Sequence, residues 1–191
     1  MVQEISRNTN TGNNKEHPKT IIFLRREIKR EQKAWASSSS HPHVVTLLAY
    51  FKTNTSFCFV SDYVDGQDIT NYLQCNGPFR ETQAKIIASQ VASAIMFIHN
   101  KGIIHRDINS NSIMLDNTKG AQLINFGLCT FERNPNEFCG ALFYLCPEIL
   151  EGKPYGTTSP KTLRRMEKGN EKIYRIQCCD HCNLIRNISW S

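Results

Sequence analysis

Two stretches of the sequence hold residues whose types and spacing could do chemistry. One is the Cys-Cys-Asp-His-Cys cluster at residues 178–182, whose thiolate and imidazole groups are of the kind that binds zinc. Structural zinc sites usually draw on two ligand pairs spaced well apart, and the sequence offers no second pair, so no metal site is predicted. The other stretch, residues 105–148, concentrates aspartate, asparagine, serine and glycine in short polar runs. The functional interpretation depends on this second stretch.

Five segments follow one another in a recognisable order. They are residues 41–45 (HPHVV), 59–68 (FVSDYVDGQD), 103–116 (IIHRDINSNSIMLD), 122–129 (QLINFGLC) and 138–150 (FCGALFYLCPEIL). In order and spacing they resemble five successive signatures of eukaryotic-type protein kinases. The last segment is most similar to the AGC-like serine/threonine group, which includes protein kinase C and the cyclic-nucleotide-dependent kinases. The resemblance covers residues 20–156, and five matches in order are far more specific than one.

The resemblance implies a role for several residues of the third and fourth signatures. In protein kinases, metal ions bridge the phosphates of ATP, a lysine grips them and an aspartate orients the attacking hydroxyl. Asp107 matches that aspartate. Asn109 stands where the family has a phosphate-contacting lysine, Ser112 where it has a magnesium-holding asparagine, and Asn125 where it has a magnesium-chelating aspartate. Because a neutral amide does not offset a divalent charge as a carboxylate does, we expect weak or absent binding of ATP and Mg²⁺.

Two positions nearer the end of the matched region also depart from the family's pattern. Ala141 replaces a hydroxyl-bearing residue that contacts the catalytic aspartate. Glu137 replaces a threonine that this kinase group phosphorylates, and its fixed carboxylate is expected to pair with Arg106 without phosphorylation. The alternative for Glu137 is an ordinary solvated surface residue.

The nucleotide-facing half of the expected site is also incomplete. Glu31 matches the glutamate that pairs with the phosphate-binding lysine in the family, but the sequence before it has a single glycine and no glycine-rich loop. Lys15 is the nearest candidate lysine and lies in a polar context. Ser61 matches the residue at the back of the adenine pocket, and the backbone from Asp62 to Val64 matches the hinge that meets adenine.

The elements that must position these residues follow from periodicity and breakers. The pattern predicts a basic helix over residues 20–35, a β-hairpin over residues 44–64, a short helix over residues 68–74, a long helix over residues 79–99 and paired strands at 113–115 and 122–124. His105, Phe126 and Trp35 match the family's stacked regulatory spine. The expected fold is α+β and protein-kinase-like, with an incomplete N-lobe sheet and the upper part of a helical C-lobe. Residues 1–19 are predicted to be a disordered leader and residues 157–191 a basic tail of unknown structure.

Composition limits the remaining possibilities. The formal net charge is +6, and the excess of basic residues lies at both ends. No aromatic residues are interleaved with these charges in the way that base stacking requires, so no specific nucleic-acid partner is predicted. The sequence has neither a signal peptide nor an apolar run long enough to span a membrane. Together with eight cysteines read as reduced thiols, this predicts a cytoplasmic, or possible nuclear, protein.

The leading hypothesis from these observations is a pseudokinase: a serine/threonine kinase-like protein with impaired ATP and Mg²⁺ binding and impaired phosphotransfer, acting on protein partners as a scaffold or regulator. One alternative is an active serine/threonine protein kinase that phosphorylates protein substrates with ATP through Asp107. Another is a non-functional kinase fragment.

Overall fold

A computed structural model of the chain describes residues 2–8, 18–53, 56–141, 145, 147–156, 163–168, 171–176 and 189–190. The chain forms an α+β fold in which a small sheet with one long helix precedes a mainly helical half. This confirms the expected incomplete kinase-like architecture. No helix among the described residues is long and apolar enough to cross a membrane.

The first sheet contains the predicted hairpin and one strand that was not predicted. Strands β2 (Leu47–Lys52) and β3 (Ser56–Asp62) are antiparallel neighbours. Strand β1 (Val2–Asn8) pairs with the other edge of β3, which gives the order β1-β3-β2. Residues 2–8 are therefore part of the sheet, where a disordered leader was expected. The sequence pattern did not predict this strand for two reasons. Its composition is polar, and its partner strand lies about 50 residues away in the sequence.

Helix α1 (Pro18–Ser38) packs against this sheet. It begins at a proline, whose fixed φ angle and missing N–H suit the first turn of a helix. The helix extends three residues beyond the predicted end because the hydroxyls of Ser37 and Ser38 donate to the carbonyl of Ala34. Trp35 is fully buried, and its indole N–H donates to the carbonyl of Val45 at 2.7 Å. The helix is thereby tied to the chain that leads into β2.

The second half is built on helix α3 (Glu81–Asn100), which carries the predicted apolar face. Strand β4 (Gly66–Asp68) leads into the short helix α2 (Ile69–Asn76), which is capped by the carboxylate of Asp68. Strands β5 (Ile113–Asp116) and β6 (Gly120–Leu123) form a hairpin, and the sheet order is β4-β5-β6. One apolar core runs through both halves, from Trp35 and Phe59 to Ile95 and Phe126.

The last elements follow a short helix, α4 (Pro147–Leu150). Strands β7 (Leu163–Lys168) and β8 (Glu171–Ile176) form an antiparallel hairpin beside α3, and β9 (Ser189–Trp190) pairs with β8. The tail thus contains a third small sheet that the sequence pattern did not predict. The Cys and His cluster at residues 178–182 lies outside the described residues.

Candidate functional site

The loop after α3 is folded by its own polar side chains. The side-chain oxygen of Asn109 accepts hydrogen bonds from the backbone N–H groups of Asn111, at 2.8 Å, and Ser112, at 3.2 Å. The hydroxyl of Ser112 donates to the carbonyl of Asn109 and accepts from its N–H. Asn109 and Ser112 are both buried. The structure brings these two predicted site residues together, and their hydrogen bonds hold the turn of the loop.

Asp107 lies at the centre of the site and accepts hydrogen bonds from two asparagines. Its Oδ1 accepts from Nδ2 of Asn109 at 2.8 Å, and its Oδ2 accepts from Nδ2 of Asn125 at 3.3 Å. Burial raises the pKa of Asp107, although the hydrogen bond from Asn109 and the nearby backbone N–H of Ala141 act in the opposite direction. The two residues that stand at the family's lysine and aspartate positions are therefore direct partners of Asp107. Both donors are neutral.

Backbone strain marks the two ends of this arrangement. Arg106 has φ 68° and Asn125 has φ 66°, both in the left-handed region that side-chain-bearing residues seldom occupy. Asparagine tolerates this region better than most residues because its short side chain bonds locally. Such strained positions tend to occur at functional sites, where the surrounding structure holds them.

The predicted spine residues form one continuous stack. The ring of His105 meets Phe126 edge-on with centroids 5.0 Å apart, and Phe126 stacks on Trp35 at 6.2 Å with 12° between the planes. Burial lowers the pKa of His105 to about 4, so the ring is neutral at pH 7. Its Nε2–H donates to the carbonyl of Ile124 at 3.1 Å. The spine therefore connects α1 to the loop that carries Asp107.

The first strand of the sheet supplies no lysine to pair with Glu31. Glu31 is buried on α1, one turn before Trp35. Strand β1, which precedes α1 in the chain and lies in the sheet beside β3, has the sequence VQEISRN and contains no lysine. Lys15 lies outside the described residues.

The hinge backbone already uses hydrogen-bonding groups that adenine would need. The hydroxyl of Ser61 donates to the carbonyl of Asp62 at 3.1 Å, and the N–H of Gly66 donates to the carbonyl of Val64 at 3.1 Å. The N–H of Asp62 donates to the carbonyl of Thr46. The carbonyls of Asp62 and Val64, which are predicted to belong to the hinge, both accept hydrogen bonds within the chain.

The chain from residue 126 to residue 141 is held by a second polar cluster. The guanidinium of Arg106 donates from Nη1 to Oε2 of Glu137 at 2.7 Å and from Nε to the carbonyl of Leu128 at 2.5 Å. This confirms the expected pair of Arg106 with Glu137. The hydrogen bond with Arg106 lowers the pKa of Glu137. Gly140 allows the close approach, because a Cβ there would lie 2.5 Å from the carbonyl oxygen of Arg106.

Tyr155 completes this cluster and was missed by the sequence analysis. Its hydroxyl donates to the carbonyl of Glu137 at 3.0 Å and lies 3.5 Å from Nη1 of Arg106. Its backbone N–H donates to the carbonyl of Pro135. Burial raises the pKa of Tyr155 to about 12. The available signal was weak: a single tyrosine after a proline, about 20 residues beyond the loop that it contacts.

The donor set does not fit a magnesium ion. Mg²⁺ prefers carboxylate and phosphate oxygens in octahedral geometry. The site offers one carboxylate, on Asp107, whose two oxygens accept from amides, and the hydroxyl of Ser112 is engaged with the backbone. Among the described residues there is no group of three or more Asp, Glu, His or Cys side chains that could hold a metal ion.

Comparison with known proteins identifies the family. The profile described as the protein kinase domain matches residues 8–160, which is most of the chain. The chain belongs to the protein kinase family. It is 34% identical over 147 residues to the serine/threonine-protein kinase Sgk1-A of Xenopus laevis, an alignment that covers 73% of this chain and 34% of that protein. It is 34% identical over 123 residues to the RAC serine/threonine-protein kinase of Drosophila melanogaster, with 62% of this chain and 20% of the relative covered.

A third relative supports the same group within the kinase family. The chain is 32% identical over 133 residues to the atypical protein kinase C of Drosophila melanogaster, covering 68% of this chain and 22% of that kinase. These relatives place the kinase chain with the AGC-like serine/threonine kinases. The alignments span between about a fifth and a third of the relatives' length.

Proposed function

We propose that this kinase chain is a pseudokinase that acts on protein partners as a scaffold or regulator and transfers little or no phosphate. The observation that carries the proposal is the pairing of the Asp107 carboxylate with the amides of Asn109 and Asn125. These contacts give Asp107 a structural task, since it joins the loop after α3 to the backbone at residue 125.

Charge is the physical basis of the proposal. Phosphoryl transfer depends on cations that neutralise the phosphates and on carboxylates that hold those cations. At the two positions that face Asp107, this chain has an amide in place of the family's lysine and an amide in place of its aspartate. Losing one positive and one negative side chain together leaves the net charge of the site unchanged, and the two amides hold the Asp107 carboxylate by hydrogen bonds without a metal ion.

The nucleotide side of the site supports the same proposal. A carbonyl oxygen can accept two hydrogen bonds, so adenine would share the carbonyl of Asp62 with the hydroxyl of Ser61. We expect weak ATP binding because strand β1 supplies no lysine for the phosphates.

A phosphotransfer assay tests the proposal directly. The purified chain is incubated with labelled ATP, Mg²⁺ and a mixed library of serine- and threonine-containing peptides, beside an Asp107→Ala variant. We expect the same background incorporation in both. Incorporation that exceeds this background and is lost in Asp107→Ala would overturn the pseudokinase proposal.

A triple reversion tests whether the substitutions around Asp107 alone explain the expected loss of phosphotransfer. The variant Asn109→Lys, Ser112→Asn, Asn125→Asp restores the family's residues around Asp107. We expect Mg²⁺ to raise its melting temperature while the parent chain does not respond, because the second carboxylate gives the ion a ligand. We expect no phosphotransfer, since β1 has no lysine. Full transfer by the triple variant would show that the charge substitutions alone explain the inactivity.

An active kinase is the second candidate, and one specific observation favours it. The stack of His105, Phe126 and Trp35 is complete, and Glu137 holds the following segment without phosphorylation. Both features suit a kinase that is continuously active. The assay above decides between the two candidates, since only the active kinase loses incorporation when Asp107 is replaced.

A further inference from the structure

A groove of mixed polar and apolar lining lies on the side of the molecule where the loop after α1 meets the β5–β6 hairpin. Its volume is about 420 Å³, within the range of small-ligand sites. The lining comes from the loop between α1 and β2 on one side and from the hairpin on the other, and includes Ser40, Thr46, Lys119 and Gln122. None of the residues that surround Asp107 belongs to it.

Hydrogen bonds hold the walls of this groove in place. The ring of His41 accepts from the N–H of His43 at Nδ1, so its Nε2–H donates to the hydroxyl of Ser93. The backbone of residues 43–45 is paired with Leu123 of β6, through the carbonyl of His43 and the N–H of Val45. A site whose walls are fixed before binding loses less conformational entropy when a ligand arrives.

Gln122 presents an acceptor to the groove from an otherwise buried side chain. The residue is only 3% exposed, and its Nε2 donates to the carbonyl of Pro42 at 2.8 Å. Among the described residues no donor pairs with its Oε1, and that atom is not among the enclosed polar atoms without a partner. The oxygen therefore faces the groove. A ligand would have to supply an N–H or O–H group to it.

The other polar groups at the groove are donors. In the described part of the chain, the hydroxyls of Ser40 and Thr46 have no hydrogen-bond partner. The ammonium of Lys119 lies 3.7 Å from Oδ2 of Asp62, and both side chains are more than a third exposed. Such exposed pairs contribute little stability. Lys119 can therefore exchange Asp62 for another carboxylate without a large loss.

We propose that this groove binds an acidic, extended peptide segment of a partner protein. A backbone N–H of the peptide donates to Oε1 of Gln122, a peptide carboxylate pairs with Lys119, and peptide carbonyls accept from the hydroxyls of Ser40 and Thr46. A bare inorganic anion would satisfy Lys119 but would leave the oxygen of Gln122 without a donor. The inference is independent of whether Asp107 supports phosphotransfer, since none of the residues that line the groove is hydrogen-bonded to Asp107.

The binding test uses a fluorescein-labelled peptide of alternating aspartate and glycine, eight residues long, against the full chain in low-salt buffer. The matched peptide of alternating asparagine and glycine tests the need for charge. We expect saturable binding of the acidic peptide and at least tenfold weaker binding of the amide peptide. Chemical shifts should move at Thr46, Lys119 and the side-chain amide of Gln122.

Two variants with opposite expected effects locate the site. Lys119→Gln removes the cation and should weaken binding about tenfold, which corresponds to about 1.4 kcal/mol. Asp62→Asn removes the competing carboxylate and should strengthen binding several-fold. Lys85→Gln on α3, which also removes one exposed lysine paired with a carboxylate, is the matched control and should leave the affinity unchanged.

Three outcomes would overturn the proposal. The first is no binding of the acidic peptide at millimolar concentration. The second is equal weakening by Lys119→Gln and Lys85→Gln, which would mean non-specific attraction to a basic chain. The third is competition by inorganic phosphate at the affinity of the peptide itself, which would mean a site for small anions only. Methylating the peptide's amide nitrogens one at a time should abolish binding at one position, the donor to Gln122.

Discussion

Asp107 and Glu137 are carboxylates of the same kinase chain that have opposite surroundings. Asp107 is partly buried, accepts from two neutral amides and has a raised pKa. Glu137 is 57% exposed, accepts from the guanidinium of Arg106 and has a lowered pKa. The charged donor, Arg106, thus belongs to the cluster that holds residues 126–141. The neutral donors, Asn109 and Asn125, lie around Asp107, where phosphate chemistry would take place.

This difference shows which properties of a kinase the chain retains. The segment from residue 126 to residue 141 is positioned by a strong, charge-assisted contact and by the stacked rings of the spine. The groups that would handle charge at Asp107 are neutral. Scaffolding needs the first property and phosphotransfer needs both, which is why the comparison favours a regulatory role.

Replacing Arg106 is expected to have the largest effect on stability, because its guanidinium holds together the polar cluster of Arg106, Glu137 and Tyr155. Arg106 is 2% exposed at its side chain and donates to both Glu137 and Leu128. We expect Arg106→Met to lower the free energy of unfolding by about 3 kcal/mol, because hydrogen bonds to a charged group are lost and the carbonyl of Leu128 loses its donor. Urea unfolding followed by circular dichroism measures this change.

The control for this variant is Glu137→Gln, which keeps an acceptor for Arg106 and removes only the charge. Because the Glu137 side chain is largely exposed, we expect a loss of about 1 kcal/mol or less. The two variants should also differ in limited proteolysis, with cleavage at residues 126–141 much faster in Arg106→Met. Equal stability of Arg106→Met and the parent chain would contradict a stabilising role for the cluster of Arg106, Glu137 and Tyr155.

A double-mutant cycle tests whether Asp107 has a structural task. We expect Asp107→Ala and Asn125→Ala to be coupled by about 1 kcal/mol in unfolding free energy, because a partly buried amide loses its acceptor. The matched pair is Asp107→Ala with Asn111→Ala, which should show coupling near zero, since among the described residues Asn111 is hydrogen-bonded to Thr70 and Asn109 and not to Asp107. Absence of coupling with Asn125 would contradict the structural task proposed for the contact between Asp107 and Asn125.

The smallest expected effect is a pair of opposite pH dependences. The lowered pKa of Glu137 contributes stability above its unfolded value of roughly 4.3 and loses it as the pH falls through the folded pKa. The raised pKa of Asp107 acts in reverse: its contribution is fully present below roughly 3.9 and declines as the pH rises through the folded pKa.

Urea unfolding at pH 3 and pH 6 measures the direction of both pH dependences. The stability of the parent chain relative to Glu137→Gln should be greater at pH 6, and its stability relative to Asp107→Asn should be greater at pH 3. The same sign for both variants would contradict the contrast between the two carboxylates.

Much of the fold could be predicted because local pattern and family spacing agree over residues 20–156. The apolar face of α3 is visible as a helical repeat, and the β2–β3 hairpin as two apolar runs around a polar turn. Strand β1 could not be predicted, since its sequence alternates poorly and its partner strand lies far away in the sequence. The β7–β8 hairpin was missed for a similar reason, because its strands are short and highly charged.

The site was predicted in its parts and missed in its arrangement. The resemblance to the kinase family indicated the pair of Arg106 with Glu137 and the stack of His105 on Phe126. The sequence identified Asn109 and Asn125 as losses relative to the family. Only the structure shows that both amides donate to Asp107, because side-chain orientation depends on the strained backbone at residue 125 and on the turn that Asn109 closes.

Thermal melting of the purified chain with and without MgATP tests the central claim most directly. A ligand that binds the folded state raises the melting temperature, and the rise grows with the logarithm of the ligand concentration relative to its Kd. The pseudokinase account predicts a cooperative transition whose midpoint is the same with ATP and Mg²⁺ as with buffer alone. A rise of several degrees that requires both ATP and Mg²⁺ would contradict it.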